Sequence, residues 1–288
     1  MLMSQRFRYA MCNEAFERKP FAEVCQILRS LGYDGIEVAP FTLAADPLDI
    51  SAAQRDEYRR MMADAGIGFV GLHWLLVTPK QIHVSTPDRA LREQSWQHVR
   101  NLIDLCADLA GSESKSPIMV FGSPKQRSAT GGLTPAEATS NFVDGLASVA
   151  PHAEARGVTI LMEALPHSQS DVVHTLAEAV DVVRQIGSPA VQTMFDSHNA
   201  EDETEPHADL IAKYFDVIRH VHVNEMDGRH PGTGNYDFVS IFKALQKLRY
   251  TGWVSLEAFD FSFGGERIAA ETMNYLKAQE EIALGVSA

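Results

Sequence analysis

Four residues of metal-ligand type each close a short apolar run: Glu163 in VTILMEALP, Asp196 in AVQTMFDSHN, His222 in VIRHVHVNE and Glu257 in GWVSLEAFD. Three carboxylates gathered at one place repel one another and need a cation. Three oxygen donors and one imidazole suit Mn, Mg, Co or Zn rather than a soft, thiol-seeking metal. Each residue taken singly is equally well read as a helix cap, a surface charge or a satisfied core histidine. Their recurrence at four successive strand ends is what points to chemistry.

For the four to meet, the apolar runs must be parallel strands that deliver their C-terminal ends to one face. The pattern supports this. RFRYAMC, DGIEVAP, GFVGLHW, PIMVFGS, VTILMEA, AVQTMFD, VIRHVHV and GWVSLEA read as strands. Helices are expected over 20–31, 51–65, 87–110, 134–157, 175–186, 207–214, 237–248 and 266–284. Ser51 is an N-cap, with Gly66 at the far end of that helix. Thr134-Pro135-Ala136-Glu137 is a capping box with proline at the first helical position. Leu91, Leu102, Ile103, Leu105 and Leu109 mark the buried face of the longest helix. Eight strands alternating with eight helices predict an α/β protein, a (β/α)8 TIM barrel.

A chain of 288 residues has room for one large barrel or two modest domains. No Pro/Gly/Ser-rich linker divides it, so one domain over residues 1–288 is expected. The net charge of −13 argues against nucleic acid, which needs a basic surface. Cys12, Cys25 and Cys106 are scattered and form no CxxC pair, which suits a reducing compartment. The leading MLMSQRFRYAMCNE carries no signal-like apolar core, and no run nears the roughly 18 apolar residues of a membrane span. A cytoplasmic protein with no membrane partner is expected. No GxSxG elbow, P-loop or dinucleotide fingerprint stands in the right context.

The first half of the chain offers further polar groups. Glu37 and His73 end the second and third strands and should face the same mouth. Trp74 is suited either to stacking on an apolar ligand face or to packing in the rim. Ser123, Lys125 and Arg127 in GSPKQRS suit a substrate phosphate or carboxylate, or else form a solvated basic loop.

The segments GYDGIEV, LMEALP, MFDSHNAEDE, HVHVNEMDGRHPGTGNYDF and GWVSLEAFDF resemble the xylose isomerase-like TIM barrel superfamily. They are most similar to its sugar phosphate isomerase/epimerase branch, the ketose 3-epimerases, over nearly the whole chain. That resemblance implies one divalent metal, manganese first, held by Glu163, Asp196, His222 and Glu257. It implies that Glu163 and Glu257 also exchange protons on opposite faces of a sugar-derived ketose, through a metal-stabilised cis-enediolate. It places Arg229 on a substrate hydroxyl and implies a homo-oligomer, dimer or tetramer; His198 and Asn199, at the partly matching position, and Glu37, His73 and Lys125, from their places in the chain, are expected on the substrate as well. Two positions depart from the epimerase pattern. Asn199 stands where a histidine is usual, with His198 one residue earlier, and Gln169 stands where a glutamate is usual. These departures leave open a metal-dependent lyase, a dehydratase, decarboxylase or C-glycoside-cleaving enzyme on a 3-oxo-sugar. They also leave open a heteromeric partner. A non-catalytic sugar-binding barrel is the third reading, and the intact acid/base pair argues against it.

Overall fold

The computed structural model describes residues 6–16, 18–112 and 116–285. Residues 1–5, part of the leader read above as unlike a signal peptide, lie outside the described residues. The eight strands are β1 (Arg8–Cys12), β2 (Gly35–Val38), β3 (Gly68–Leu72), β4 (Ile118–Phe121), β5 (Thr159–Met162), β6 (Val191–Asp196), β7 (Ile218–Val223) and β8 (Trp253–Leu256). They close in sequence order into a barrel, with β8 pairing back onto β1. Every neighbouring pair is parallel. The fold is therefore the (β/α)8 barrel that the alternation predicted.

The connecting helices are α1 (Phe21–Leu31), α2 (Ala52–Ala65), α3 (Arg89–Ala110), α4 (Pro124–Arg127), α5 (Pro135–Arg156), α6 (Leu176–Ile186), α7 (His207–Lys213), α8 (Phe238–Lys247) and α9 (Gly265–Leu284). Their ends follow local chemistry. Ser51 and Gln54 form a reciprocal capping box on α2, and Thr134 and Glu137 do the same on α5. Gly66 ends α2 in the left-handed region, where a side chain would be strained. The start of α3 falls two residues later than the sequence suggested, because the Asp88 carboxylate accepts the Leu91 amide as its cap. The GSPKQRS segment, expected as a loop, contains the one-turn helix α4.

Side chains on a strand alternate between faces, so residues two apart share the barrel interior. Ala10, Val70, Ile118, Val120, Leu161 and Met194 pack together as an interior apolar floor, with Trp253 against them. Two residues further along, the same inward rows become polar. Ala10 leads to Cys12, Leu161 to Glu163, Met194 to Asp196, and Trp253 through Ser255 to Glu257. The floor excludes water from below, while the mouth collects the groups that can do chemistry. Irregular registers occur at Ile36/Glu37 between β2 and β3 and at Thr193/Phe195 between β6 and β7. Both breaks stand beside acidic residues of the mouth, where a local bulge re-aims a side chain.

Candidate metal centre

Glu163, Asp196, His222 and Glu257 converge. Each is buried, and one donor atom from each lies within 4.8 Å of the others. His222 Nδ1 stands 3.0 Å from Glu257 Oε2 and 3.4 Å from Asp196 Oδ2. Asp196 is held in place through its other oxygen, Oδ1, which accepts the His198 and Asn199 amides at 2.7 and 3.0 Å. Its Oδ2 is buried and accepts no hydrogen bond among the described residues. Such an oxygen is costly inside a protein unless something positive meets it.

The electrostatics carry the same message. Burial, then the charges of Glu257 and Asp196, push the Glu163 carboxyl well above the usual carboxylate range. Burial would also raise Glu257, but the neighbouring His222 and His73 imidazoles outweigh it and hold Glu257 well below that range. Burial would lower His222, yet the carboxylates of Glu37 and Glu257 outweigh it and raise its affinity for a proton. The cluster therefore gathers protons onto Glu163 and His222 to relieve crowded negative charge. A divalent cation would supply the same relief, and the unpartnered Asp196 oxygen together with this donor set fits one.

A second tier supports the quartet from across the barrel. Glu37 is wholly buried and meets His222 Nε2 at 3.1 Å and His220 Nε2 at 2.9 Å. Holding the far nitrogen of an imidazole in this way fixes which nitrogen faces the centre. His73 Nδ1 stands 3.3 Å from Glu257 Oε1, and the Trp74 indole N–H donates to the same oxygen at 2.7 Å. Trp74 does so from a left-handed backbone, φ 50°, a conformation unfavourable for a bulky residue. Asn199 Nδ2 donates to Glu163 Oε1 at 3.0 Å, and Gln169 Nε2 donates to Asn199 Oδ1 at 3.0 Å. The other Glu163 oxygen leaves no room for a side chain at residue 122, since a Cβ on Gly122 would sit 2.2 Å from Oε2.

Above the quartet opens a cavity of about 660 Å³, with Glu163, Glu257, Gln169 and Asn199 in its wall. Trp74 and Phe259 line it as stacked rings, 16° between planes, and Lys80, His83 and Lys125 line another part. A volume of this order takes a small molecule.

The remaining sequence candidates separate. Lys125 lines the cavity. Glu37 and His73 do not; both are sealed beneath it against quartet members. His198 turns its ring toward Phe259, with Nδ1 2.8 Å from the Met226 carbonyl oxygen. Arg229 pairs with Asp227 at 2.7 Å. Within GSPKQRS, Ser123 lines the cavity with Lys125, while Arg127 fits neither an anion site nor a solvated loop. It is fully buried and donates to the carbonyl oxygens of Phe121, Glu163 and Val173 and to Ser170 Oγ. Its guanidinium staples the turns after β4 and β5 together and has no face toward a ligand. His220, Cys12 and Glu14 had no role in the sequence reading. His220 was within reach, since it stands two residues before His222 on the same strand face; Glu14 carries no local signal.

With this geometry in hand, comparison with known proteins is decisive for the family. The sequence pattern of the xylose isomerase-like TIM barrel family matches residues 25–279. This chain belongs to that family. Within it, the xylose isomerase-like chain is 26% identical to an L-ribulose 3-epimerase of Mesorhizobium japonicum over 247 residues, 85% of this chain and 77% of the relative. It is 31% identical to a D-psicose 3-epimerase of Agrobacterium fabrum over 117 residues, 41% of this chain and 40% of that one. A crystal structure of 3-keto-D-glucoside 4-epimerase from E. coli superposes with a TM-score of 0.80 at 17% identity, covering 95% of this chain and all of the other, and so matches the fold.

Proposed function

We propose that the chain is a divalent-metal-dependent epimerase or isomerase of a sugar-derived ketose. Glu163, Asp196, His222 and Glu257 would hold the metal, with manganese the first choice. The observation that carries this is the convergence of four buried donors, one of them an Asp196 oxygen that accepts no hydrogen bond. The epimerase names of the relatives support the substrate class.

When bound, the metal would polarise the substrate carbonyl and absorb the charge that develops as the neighbouring carbon loses its proton. The side chains do the rest. Glu163 and Glu257 directly follow separate strands, β5 and β8, and both line the cavity. A sugar carbon between them can give its proton to one carboxylate and regain one from the other on the opposite face. Asn199 holds Glu163 Oε1 and Trp74 holds Glu257 Oε1. The Trp74 and Phe259 rings give an apolar sugar face a wall to lie on.

The lyase reading shares the proton abstraction and differs in the fate of the resulting enolate, which expels a substituent instead of regaining a proton. Incubating the manganese-loaded protein with ketoses and 3-oxo-glycosides in deuterated water separates the outcomes. Deuterium at one carbon of a recovered epimer supports the proposal. Loss of a substituent without epimer indicates the lyase, and no exchange with any substrate removes both.

A further inference from the structure

We propose that Gln169 is a positioning residue for Glu163: acting through Asn199, it fixes which oxygen of that carboxylate is left to take the substrate proton. The inference deepens the proposed function and rests on the acid/base role given there to Glu163.

The two glutamates of the cavity wall are held differently. Glu257 Oε1 accepts from the Trp74 indole at 2.7 Å. An indole N–H only donates, so that contact has a single polarity. Glu163 Oε1 accepts instead from a carboxamide, Asn199 Nδ2, at 3.0 Å. A carboxamide has two faces. A half-turn about its last side-chain bond would set Asn199 Oδ1 against the carboxylate, oxygen against oxygen. Asn199 is 4% exposed, so the choice falls to the protein rather than to water.

A chain of hydrogen bonds with one direction makes that choice. It starts at the Met226 carbonyl oxygen, which can only accept. His198 Nδ1, 2.8 Å away, therefore carries a proton, and Nε2 keeps a lone pair. Gln169 Nε2 lies 3.4 Å from His198 Nε2 and 3.0 Å from Asn199 Oδ1. An amide nitrogen has two hydrogens, one for each. With Oδ1 so engaged, Asn199 turns Nδ2 to Glu163. Three segments meet in this chain: Gln169 stands beyond β5, His198 and Asn199 beyond β6, and Met226 beyond β7.

The consequence falls on Glu163. A hydrogen bond to a carboxylate oxygen favours its unprotonated form, so Oε1 becomes the weaker base of the two. Oε2 reaches toward Gly122, 2.2 Å from where a Cβ would stand, and Gly122 lines the cavity. Oε2 is thus the oxygen placed to receive a proton from a bound ketose.

The test has two parts. Neutron diffraction from crystals in deuterated water locates the deuterons. They are expected on His198 Nδ1 toward Met226, and on Asn199 Nδ2 toward Glu163 Oε1. A map with Asn199 Oδ1 against Glu163 overturns the proposal. The second part is steady-state kinetics on the manganese-loaded enzyme, with the ketose that the unaltered protein exchanges fastest from a panel of ketopentoses and ketohexoses. Gln169→Glu keeps the shape but replaces the donor by an acceptor, which turns Asn199 over. Its kcat should fall about 10–100-fold, with KM and manganese affinity kept. Gln169→Leu removes the donor without adding charge and should lower kcat less; circular dichroism checks that both variants fold. An unchanged kcat in both variants overturns the proposal. So does a raised KM with kcat kept, which would put Gln169 on the substrate itself. No exchange of any ketose by the unaltered protein removes the proposed function, and the neutron map then judges the hydrogen-bond chain by itself.

Discussion

The two halves of the barrel do different work. Strands β5 to β8 bring Glu163, Asp196, His222 and Glu257 to one point. Strand β2 and the turn after β3 bring Glu37 and His73 against those same residues from beneath, and Trp74 against Glu257 from the cavity wall. One half presents the donor atoms and holds Glu163 and Asp196 itself; the other aims His222 and Glu257. An imidazole or carboxylate at a strand end has rotational freedom, and a ligand set needs its lone pairs fixed before an ion arrives. Glu37 and His73 supply that restraint from parts of the chain 183 to 185 residues away.

Removing a donor should have the largest effect, and this sets the scale of the contrast. Glu163→Gln keeps the shape but loses a carboxylate that the proposed chemistry uses as acid or base. Steady-state kinetics on the manganese-loaded enzyme should show kcat lower by about 10²–10⁴-fold. A variant with unchanged turnover would mean that the half presenting donors is not the half performing chemistry.

Removing an aiming residue should cost less. Glu37→Gln leaves all four donors in place but replaces the anion that faces His222 Nε2. Manganese affinity, measured by calorimetry, should weaken by about 10–100-fold. An unchanged affinity would show that the first half of the barrel is passive wall.

That contrast is also the contrast between what was legible and what was not. The quartet could be read because each member ends its own apolar run, and a period of two places it inward. The parallel strands follow from the same alternation, and the caps of α2 and α5 from Ser51, Gln54, Thr134 and Glu137. The aiming contacts were hidden because they join residues distant in sequence. Glu37 and His73 were seen to end strands, yet nothing local says that they are sealed beneath the cavity rather than open to it. Arg127 was misread for a related reason. Lys-Gln-Arg looks like a basic surface turn, and only the folded chain shows three backbone carbonyl oxygens waiting for the guanidinium.

The smallest effect belongs outside the comparison and serves as its control. Thr134→Ala removes one half of the α5 capping box, whose side-chain partner is Glu137 and not a quartet residue. Thermal or denaturant unfolding should show a loss of about 1 kcal/mol, with metal affinity unaltered. A change in metal affinity there would mean that stability and site geometry are coupled throughout the barrel, which would blur the division between its halves.

The most direct measurement is anomalous X-ray scattering from a crystal soaked in manganese chloride. The expected result is a manganese peak enclosed by Glu163, Asp196, His222 and Glu257, about 2.0–2.3 Å from their donor atoms. A fully soaked crystal with no peak there, or with those four side chains turned away from a common point, would contradict it.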